Sequence, residues 1–588
     1  MRDRVRFPPM STGLAITAGQ HSDKGRKPLN QDFHAIMTPG EPLLLSKGIA
    51  LALADGISSS AVSQTASETS VAGFLQDYYA TPESWSVKTS VQRVLHATNS
   101  WLYAQNRGGP HRYDIEKGLV CTFSAMVLKS ATAHIFHVGD SRVYRIDGTA
   151  LEQLTEDHRV WLAADKSYLS RAMGMRERLE IDYHAHPIAA GDTFILASDG
   201  VYDFIDPALI AKLVGQHREN LDLAARLIVE RALEAGSDDN LTVQIIRIER
   251  LPQHDMNAMQ QQASVLPFPP DLRARMSFDG YSIIRELRHS HRSHVYLARD
   301  EETGRQLVLK VPSVDMRGNS AYLESFLMEE WVARRLDNVH LLKACSPDRQ
   351  RNYLYSAFEY IEGQSLTQWL RDNPQTDLET VRKLIEQIAR GLQAMHRQEV
   401  IHRDLRPDNI LIDSAGTVKI IDFGSARVAG IAENAGSGEP NTVPGALQYA
   451  APEYFIGAAG TAQSDLFSLG VIAYQMLSGR QPYGTSVARA TTPAAQRKLV
   501  YQSLRDHQPA LPAWIDEAIR KAVHPNPHRR QEALSEFTFD LRHPNPAFLQ
   551  RARAPLMQRN PLQFWKGLSL MLFLLLLLLL GTHPGIGN

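Results

Sequence analysis

The chain has 588 residues, too many for one ordinary hydrophobic core, so two or three domains are expected and a single small module is excluded. Hydrophobic residues make up 43% and charged residues 22%, the balance of a folded rather than a disordered or collagenous chain. Lys plus Arg at 63 against Asp plus Glu at 64 leave a net charge of -1, so no global field draws the chain toward nucleic acid, and two cysteines, Cys121 and Cys345, are too few for a disulfide framework or a structural zinc cluster.

The N-terminal string MRDRVRFPPM holds no apolar stretch, so no secretory signal is expected. Apolar runs at 48–54, 123–128, 133–138, 193–197 and 241–248 predict strands, and helical periodicity is found at 60–79, 87–106 and 221–234. Together they predict a mixed domain over residues 1–250. Residues 251–277, rich in Gln, Pro and Met without periodicity, read as a linker. Strands follow at 281–287, 295–299 and 307–311, then helical segments including 380–397 and 464–477, so a second domain is expected over 278–545. Residues 546–566 form a basic juxtamembrane segment with Arg551, Arg553, Arg559 and Lys566. The string LSLMLFLLLLLLL at 568–580 predicts a transmembrane anchor over 567–581, followed by a short tail, 582–588. As a helix that anchor spans only about 22 Å, against a hydrocarbon core of roughly 30 Å, which leaves a buried helix as the alternative. The missing charged face favours the membrane, and the cations ahead of it place both preceding domains in the cytoplasm.

Several aspartates stand where an apolar strand begins or ends: Asp32, Asp55, Asp140, Asp199 and Asp239. One alone would be a turn or a helix cap. As a set without nearby Cys or His they suit hard cations, Mg²⁺ or Mn²⁺, and metal-assisted hydrolysis. The ordered strings SDKGRKPLNQD (22–32), LADG (53–56), VGDSRVY (138–144), LTEDH (154–158), SRAMG (170–174), ASDGVYD (197–203) and GSDDNLTV (236–243) resemble the metal-dependent type 2C Ser/Thr protein phosphatases over about residues 11–250. The resemblance implies an α-β-β-α sandwich. It also implies that Asp55, the Gly56 carbonyl, Asp199 and Asp239 hold a metal pair, that Asp32 joins through water, and that Asp140 helps hold a third ion. Lys27 stands where the family has a phosphate-binding Arg, a point cation in place of a bidentate fork. Ile57-Ser58-Ser59 and Val120-Cys121-Thr122 also depart from the family's usual residues without removing a ligand.

In the second half, HRDLRPDN (402–409), DFG (422–424) and APE (451–453) follow in order. They resemble a eukaryotic-type Ser/Thr protein kinase over about residues 278–545 and imply a bilobal fold with ATP as substrate. In that likeness Asp404 orients the substrate hydroxyl, Asn409 and Asp422 hold one or two metal ions, and Arg406 lies beside the γ-phosphate. Lys310 contacts the phosphates and pairs with Glu329 rather than Glu330. Val295 and the hinge residue Glu359 border the nucleotide, and Asp465 and Arg530 are structural, the latter paired with Glu453. Two departures stand out. The three glycine positions of the phosphate-covering loop read Arg288, Ser290 and Ser293, and the usual Thr before Leu447 is Ala446. Arg403 beside Asp404 suggests control by phosphate on the activation segment, with Ser437 and Thr442 as candidate sites.

The expected fold class is therefore multidomain α+β: a phosphatase sandwich, a bilobal kinase and one C-terminal membrane helix. The expected function is a membrane-tethered enzyme that writes and erases phosphate on protein Ser and Thr, its partners being such proteins, the bilayer and a second copy of itself for autophosphorylation in trans. A phosphatase governed by an ATP-binding pseudokinase is the alternative, and a non-catalytic phosphoprotein scaffold is a further one.

Overall fold

Every residue of the strand Ile49–Ala54 is buried, and its side chains alternate between two separate cores. Ala50, Ala52 and Ala54 pack with Phe74, Tyr78, Val91 and Leu95 of the helices Ser63–Ala80 and Val87–Gly108. Ile49, Leu51 and Leu53 meet Phe194, Leu196, Ile246 and Ile248 of another sheet. On that sheet's far side Ile195, Val243 and Ile245 pack on the helices Pro207–Gln216 and Leu221–Glu234. The period-2 pattern of the strands thus separates four layers, α-β-β-α. One sheet runs Ala15–Asp23, Leu241–Arg250, Thr193–Ala197, Arg142–Asp147, Ala150–Gln153; the other runs Asp182–Pro187, Thr132–Val138, Phe123–Lys129, Ile49–Ala54, Phe33–Met37.

This computed structural model describes residues 14–582 except 111, 164–165, 253–265, 346–350, 433–446, 547 and 549–560. The candidate phosphosites Ser437 and Thr442, and Ala446, lie outside the described residues. Two units are distinguished: Met1–Gln261 with Val428–Glu439, and Gln262–Arg427 with Pro440–Asn588. The helix expected from 60 starts at Ser63, because Ser60 is tied elsewhere: its hydroxyl donates to the Gly118 carbonyl at 2.7 Å.

In the second unit five antiparallel strands run in chain order: Ser277–Phe278, Tyr281–His289, Ser293–Asp300, Gln306–Pro312 and Ser356–Glu359. The helix Ser320–Arg335 accompanies them, capped by the Asn319 side chain. A largely helical part follows, built around Leu378–Arg397 and Ala462–Ser478. Every third or fourth residue of the first, Val381, Leu384, Ile385, Ile388, Leu392 and Met395, is buried, as expected for one apolar stripe. Fully buried Arg530 clasps Glu453 with two parallel hydrogen bonds of 2.8 and 2.7 Å, and also donates to the carbonyls of Gln463 and His524. Removing one partner strands a buried charge. Arg530→Ala is therefore expected to destabilise this unit by about 3–5 kcal/mol, seen by calorimetry as a fall of roughly 10 °C in its melting transition.

The C-terminal helix is longer than the sequence suggests, Pro561–Thr582, and Leu570, Leu572, Leu574 and Leu578 are exposed on it. Among the described residues no helix is long and apolar enough to cross a membrane.

Candidate catalytic sites

In the first unit the sandwich brings its aspartates to one end of both sheets. Asp55 and Asp140 follow Ile49–Ala54 and Thr132–Val138; Asp199 follows Thr193–Ala197; Asp32 precedes Phe33–Met37 and Asp239 precedes Leu241–Arg250. Asp32 is buried. Its Oδ2 accepts from Ser198 Oγ at 2.9 Å and Thr242 Oγ1 at 2.7 Å, whereas its Oδ1 is buried with no hydrogen-bond partner. Gly56 is required by close approach: a Cβ there would lie 2.8 Å from the Gln31 carbonyl oxygen and 2.9 Å from Ser63.

Crowding this many acids in a buried place is costly, and the carboxyls show it. Burial, with Asp239 adding repulsion, pushes Asp32 up to about 6 against its hydrogen bonds to Thr242 and Ser198. Burial followed by Asp140 and Asp239 pushes Asp199 up to about 7, and burial followed by Asp32 and Asp199 holds Asp55 well above the carboxylate range. Such a set favours binding of a hard cation. The orphaned Asp32 Oδ1 and the all-oxygen donor set fit Mg²⁺ or Mn²⁺, with Asp32, Asp55, Gly56, Asp140, Asp199 and Asp239 as the available donors.

Two protein cations mediate among these acids. Lys27 Nζ lies 3.1 Å from Asp239 Oδ1 and donates to Ser58 Oγ at 2.9 Å. Arg159 donates from Nε to Asp140 Oδ2 and from Nη2 to Asp199 Oδ2 at 2.8 Å. Sequence reasoning missed Arg159, which stands one residue beyond the acidic string Leu154–His158; its basic character there is the one signal available. Since Arg159 and a metal ion would compete for Asp140 and Asp199, Arg159→Ala is expected to tighten Mn²⁺ binding by roughly tenfold, the equivalent of one charge-assisted hydrogen bond. Calorimetric Mn²⁺ titration of the full chain checks this.

In the second unit Lys310, on Gln306–Pro312, donates to Glu329 Oε2 at 2.5 Å and lies 3.7 Å from Asp422 Oδ1. Val295 is its register partner on the next strand. Glu330, one residue on, is instead clasped by Arg334 and Arg351, so the two adjacent glutamates of this helix serve different cations. The positive charge of Lys310, ahead of the opposing effect of burial, holds Asp422 below its usual range and therefore ionised. Asn409 Nδ2 donates to Asp404 Oδ2 at 3.1 Å and to the Asp404 carbonyl at 2.9 Å. Arg403 and Asp422 adopt φ of 69° and 65°, a conformation that costs free energy in non-glycine residues. Buried Asp465 stabilises the first of these turns by accepting from the amides of His402 and Arg403 at 2.9 and 3.0 Å.

Three expected residues are placed less directly. Arg406 is paired with Asp408, which also accepts from Thr367 Oγ1 at 2.8 Å. The Glu359 carboxylate is taken by Lys419 Nζ at 2.6 Å and by the Lys343 amide at 3.0 Å, and the Glu359 amide donates to the Lys343 carbonyl at 3.0 Å, so its charge is engaged within the protein. Arg288, at a vacant glycine position, acts electrostatically on both Asp408 and Asp422.

Residues 20–236 match the protein phosphatase 2C family, and residues 281–538 match the protein kinase domain family. Curated relatives include the serine/threonine-protein kinase PrkC of Bacillus subtilis, 27% identical over 270 residues that cover 45% of this chain and 40% of that protein. PknA of Corynebacterium glutamicum is 30% identical over 286 residues, 45% of this chain and 59% of that one. The chain spans about half the length of these relatives. Among solved structures it is similar to the Mycobacterium tuberculosis phosphatase PstP/Ppp, with 23% identity, a TM-score of 0.34 and coverage of 40% of this chain and 99% of that one. It is also similar to the PknI kinase domain of the same organism, with 24% identity, a TM-score of 0.37 and coverage of 46% and 98%. The chain joins a protein phosphatase 2C domain to a Ser/Thr protein kinase domain.

Proposed function

We propose that this chain both phosphorylates protein Ser and Thr residues with ATP and removes phosphate from them. The observation that carries the kinase half is the Lys310 constellation: Glu329 and Asp422 flank the lysine together, the arrangement phosphoryl transfer requires. Lys310 then positions the α- and β-phosphates, Asp404 orients the attacking hydroxyl and receives its proton, and Asn409 and Asp422 offer oxygens for metal that accompanies ATP. Arg288 contributes charge that glycines cannot supply. These intact groups favour an active kinase over the pseudokinase alternative.

In the phosphatase half, bound Mg²⁺ or Mn²⁺ would supply a water of lowered pKa and neutralise phosphoryl oxygens. The aspartates provide the donor oxygens, Ser198 and Thr242 orient Asp32, and Lys27 offers a cation to the substrate phosphate. Incubating the full chain with a phosphothreonine peptide tests this half: phosphate release that depends on added Mn²⁺ and stops with EDTA is expected, and none in either condition would refute it.

The exposed leucines of Pro561–Thr582, preceded by Arg551, Arg553 and Arg559, support attachment to a membrane surface with both catalytic domains on the cytoplasmic side, self-association there permitting autophosphorylation in trans. Flotation of the full chain with anionic lipid vesicles, lost when Leu570–Leu578 are replaced by Ser, is the expected result; flotation unaffected by that change would contradict it.

A further inference from the structure

The hairpin formed by Tyr281–His289 and Ser293–Asp300 occupies the position of the phosphate-covering loop, yet its turn reads HSHRSH where glycines are customary. The side chains on one of its faces do something else. His289 and His294 are cross-strand register partners one step below the turn, where Ser290 and Ser293 pair through backbone and hydroxyl. Their rings stand 4.2 Å apart between centroids, nearly perpendicular. Glu286 would ordinarily project to the opposite face from His289, because three residues separate them in a strand. A bulge between Glu286 and Arg288 inserts one extra residue and restores Glu286 to the histidine face.

As a result Glu286 Oε1 lies 3.2 Å from His289 Nδ1 and 3.3 Å from His294 Nδ1. All three ligand atoms fall within 4.8 Å of one another, the one such His/Cys/Asp/Glu group among the described residues. A tetrahedral ion with bonds of about 2.0–2.1 Å has its ligands about 3.3 Å apart, so the two Glu–His spacings match two edges of a tetrahedron. Two imidazoles and one carboxylate suit a borderline transition ion rather than Mg²⁺ or Ca²⁺. The site is reachable from solvent, with side-chain exposures of 69% for His289, 43% for Glu286 and 22% for His294.

We propose that Glu286, His289 and His294 form a Zn²⁺-class metal site that clips the two strands of this hairpin together, with water as fourth ligand. By fixing the strand from which Arg288 projects to the other face, the clip orders the part of the hairpin that delivers charge to Asp422. The binding claim stands whether or not the kinase reading holds.

Cu²⁺ is the probe, added at one equivalent to metal-free full chain and read by electron paramagnetic resonance. The phosphatase aspartates offer only oxygens, so nitrogen hyperfine coupling from two imidazoles excludes them, and its loss on replacing His289 and His294 assigns it to this hairpin. The expected result is that coupling in the wild type, its loss in His289→Asn/His294→Asn, and one fewer Zn²⁺ equivalent bound by the double variant in calorimetry. Glu286→Gln should keep the two-nitrogen pattern and bind Zn²⁺ at least about tenfold more weakly. An unchanged spectrum and Zn²⁺ stoichiometry in the double variant would overturn the site, and wild-type Zn²⁺ affinity in Glu286→Gln would overturn its third ligand.

Discussion

Asp404→Asn is expected to lower kcat for phosphoryl transfer by about 10³-fold, the usual worth of a positioned general base, while leaving KM for ATP nearly unchanged. The split follows from the geometry. Asp404 is hydrogen-bonded to Asn409 and held in a turn fixed by Asp465, whereas the groups placed for the nucleotide phosphates are Lys310 and Asp422. The amide keeps the shape and an oxygen for Asn409 but cannot accept the hydroxyl proton. Steady-state kinetics with a peptide substrate checks the result; a matching loss in ATP affinity would mean that the turn itself had collapsed.

Asp199→Asn is expected to do two things at once: abolish phosphatase turnover by about 10³-fold or more, and make the metal-free protein more stable. Burial, then Asp140 and Asp239, push the Asp199 carboxyl up to about 7, so the folded state holds a proton that the unfolded chain releases near pH 4. The penalty is absent below about pH 4, grows as pH rises and is complete above about pH 7. At pH 8 a neutral amide removes it, worth about 1–2 kcal/mol after discounting for the partial exposure of this side chain. The melting temperature of the first unit should rise by a few degrees at pH 8 and match the wild type near pH 4. A loss of stability at pH 8 would show that Asp199 is held by net attraction to Arg159 rather than strained by its acidic neighbours.

Both variants rest on residues legible in the sequence, and the reason is physical. Strand ends are marked by the change from apolar run to acid, so Asp55, Asp140 and Asp199 could be placed from periodicity alone. Thr193–Ala197 and Leu221–Glu234 were likewise readable to the residue. The helix Ser320–Arg335 was harder, because its apolar face is weakly marked, yet the partner of Lys310 on it was recoverable from the kinase resemblance. Arg159 was not legible: its function depends on two acids 19 and 40 residues away that only folding brings within reach. Nor was the role of the HSHRSH turn, because the register bulge that returns Glu286 to the histidine face leaves no trace in composition. Nor was the pairing of Arg406 with Asp408 two residues on, which the motif leaves unmarked.

The central claim is that one chain carries both opposing activities, and a pulse and chase in the full chain tests it most directly. With labelled ATP and Mn²⁺, Asp199→Asn should accumulate label on Ser or Thr, Asp199→Asn/Asp404→Asn should accumulate none, and wild-type chain added after the ATP is exhausted should remove the label from the first. Equal labelling of the two variants would contradict the kinase assignment, and label that persists after wild-type chain is added would contradict the phosphatase assignment.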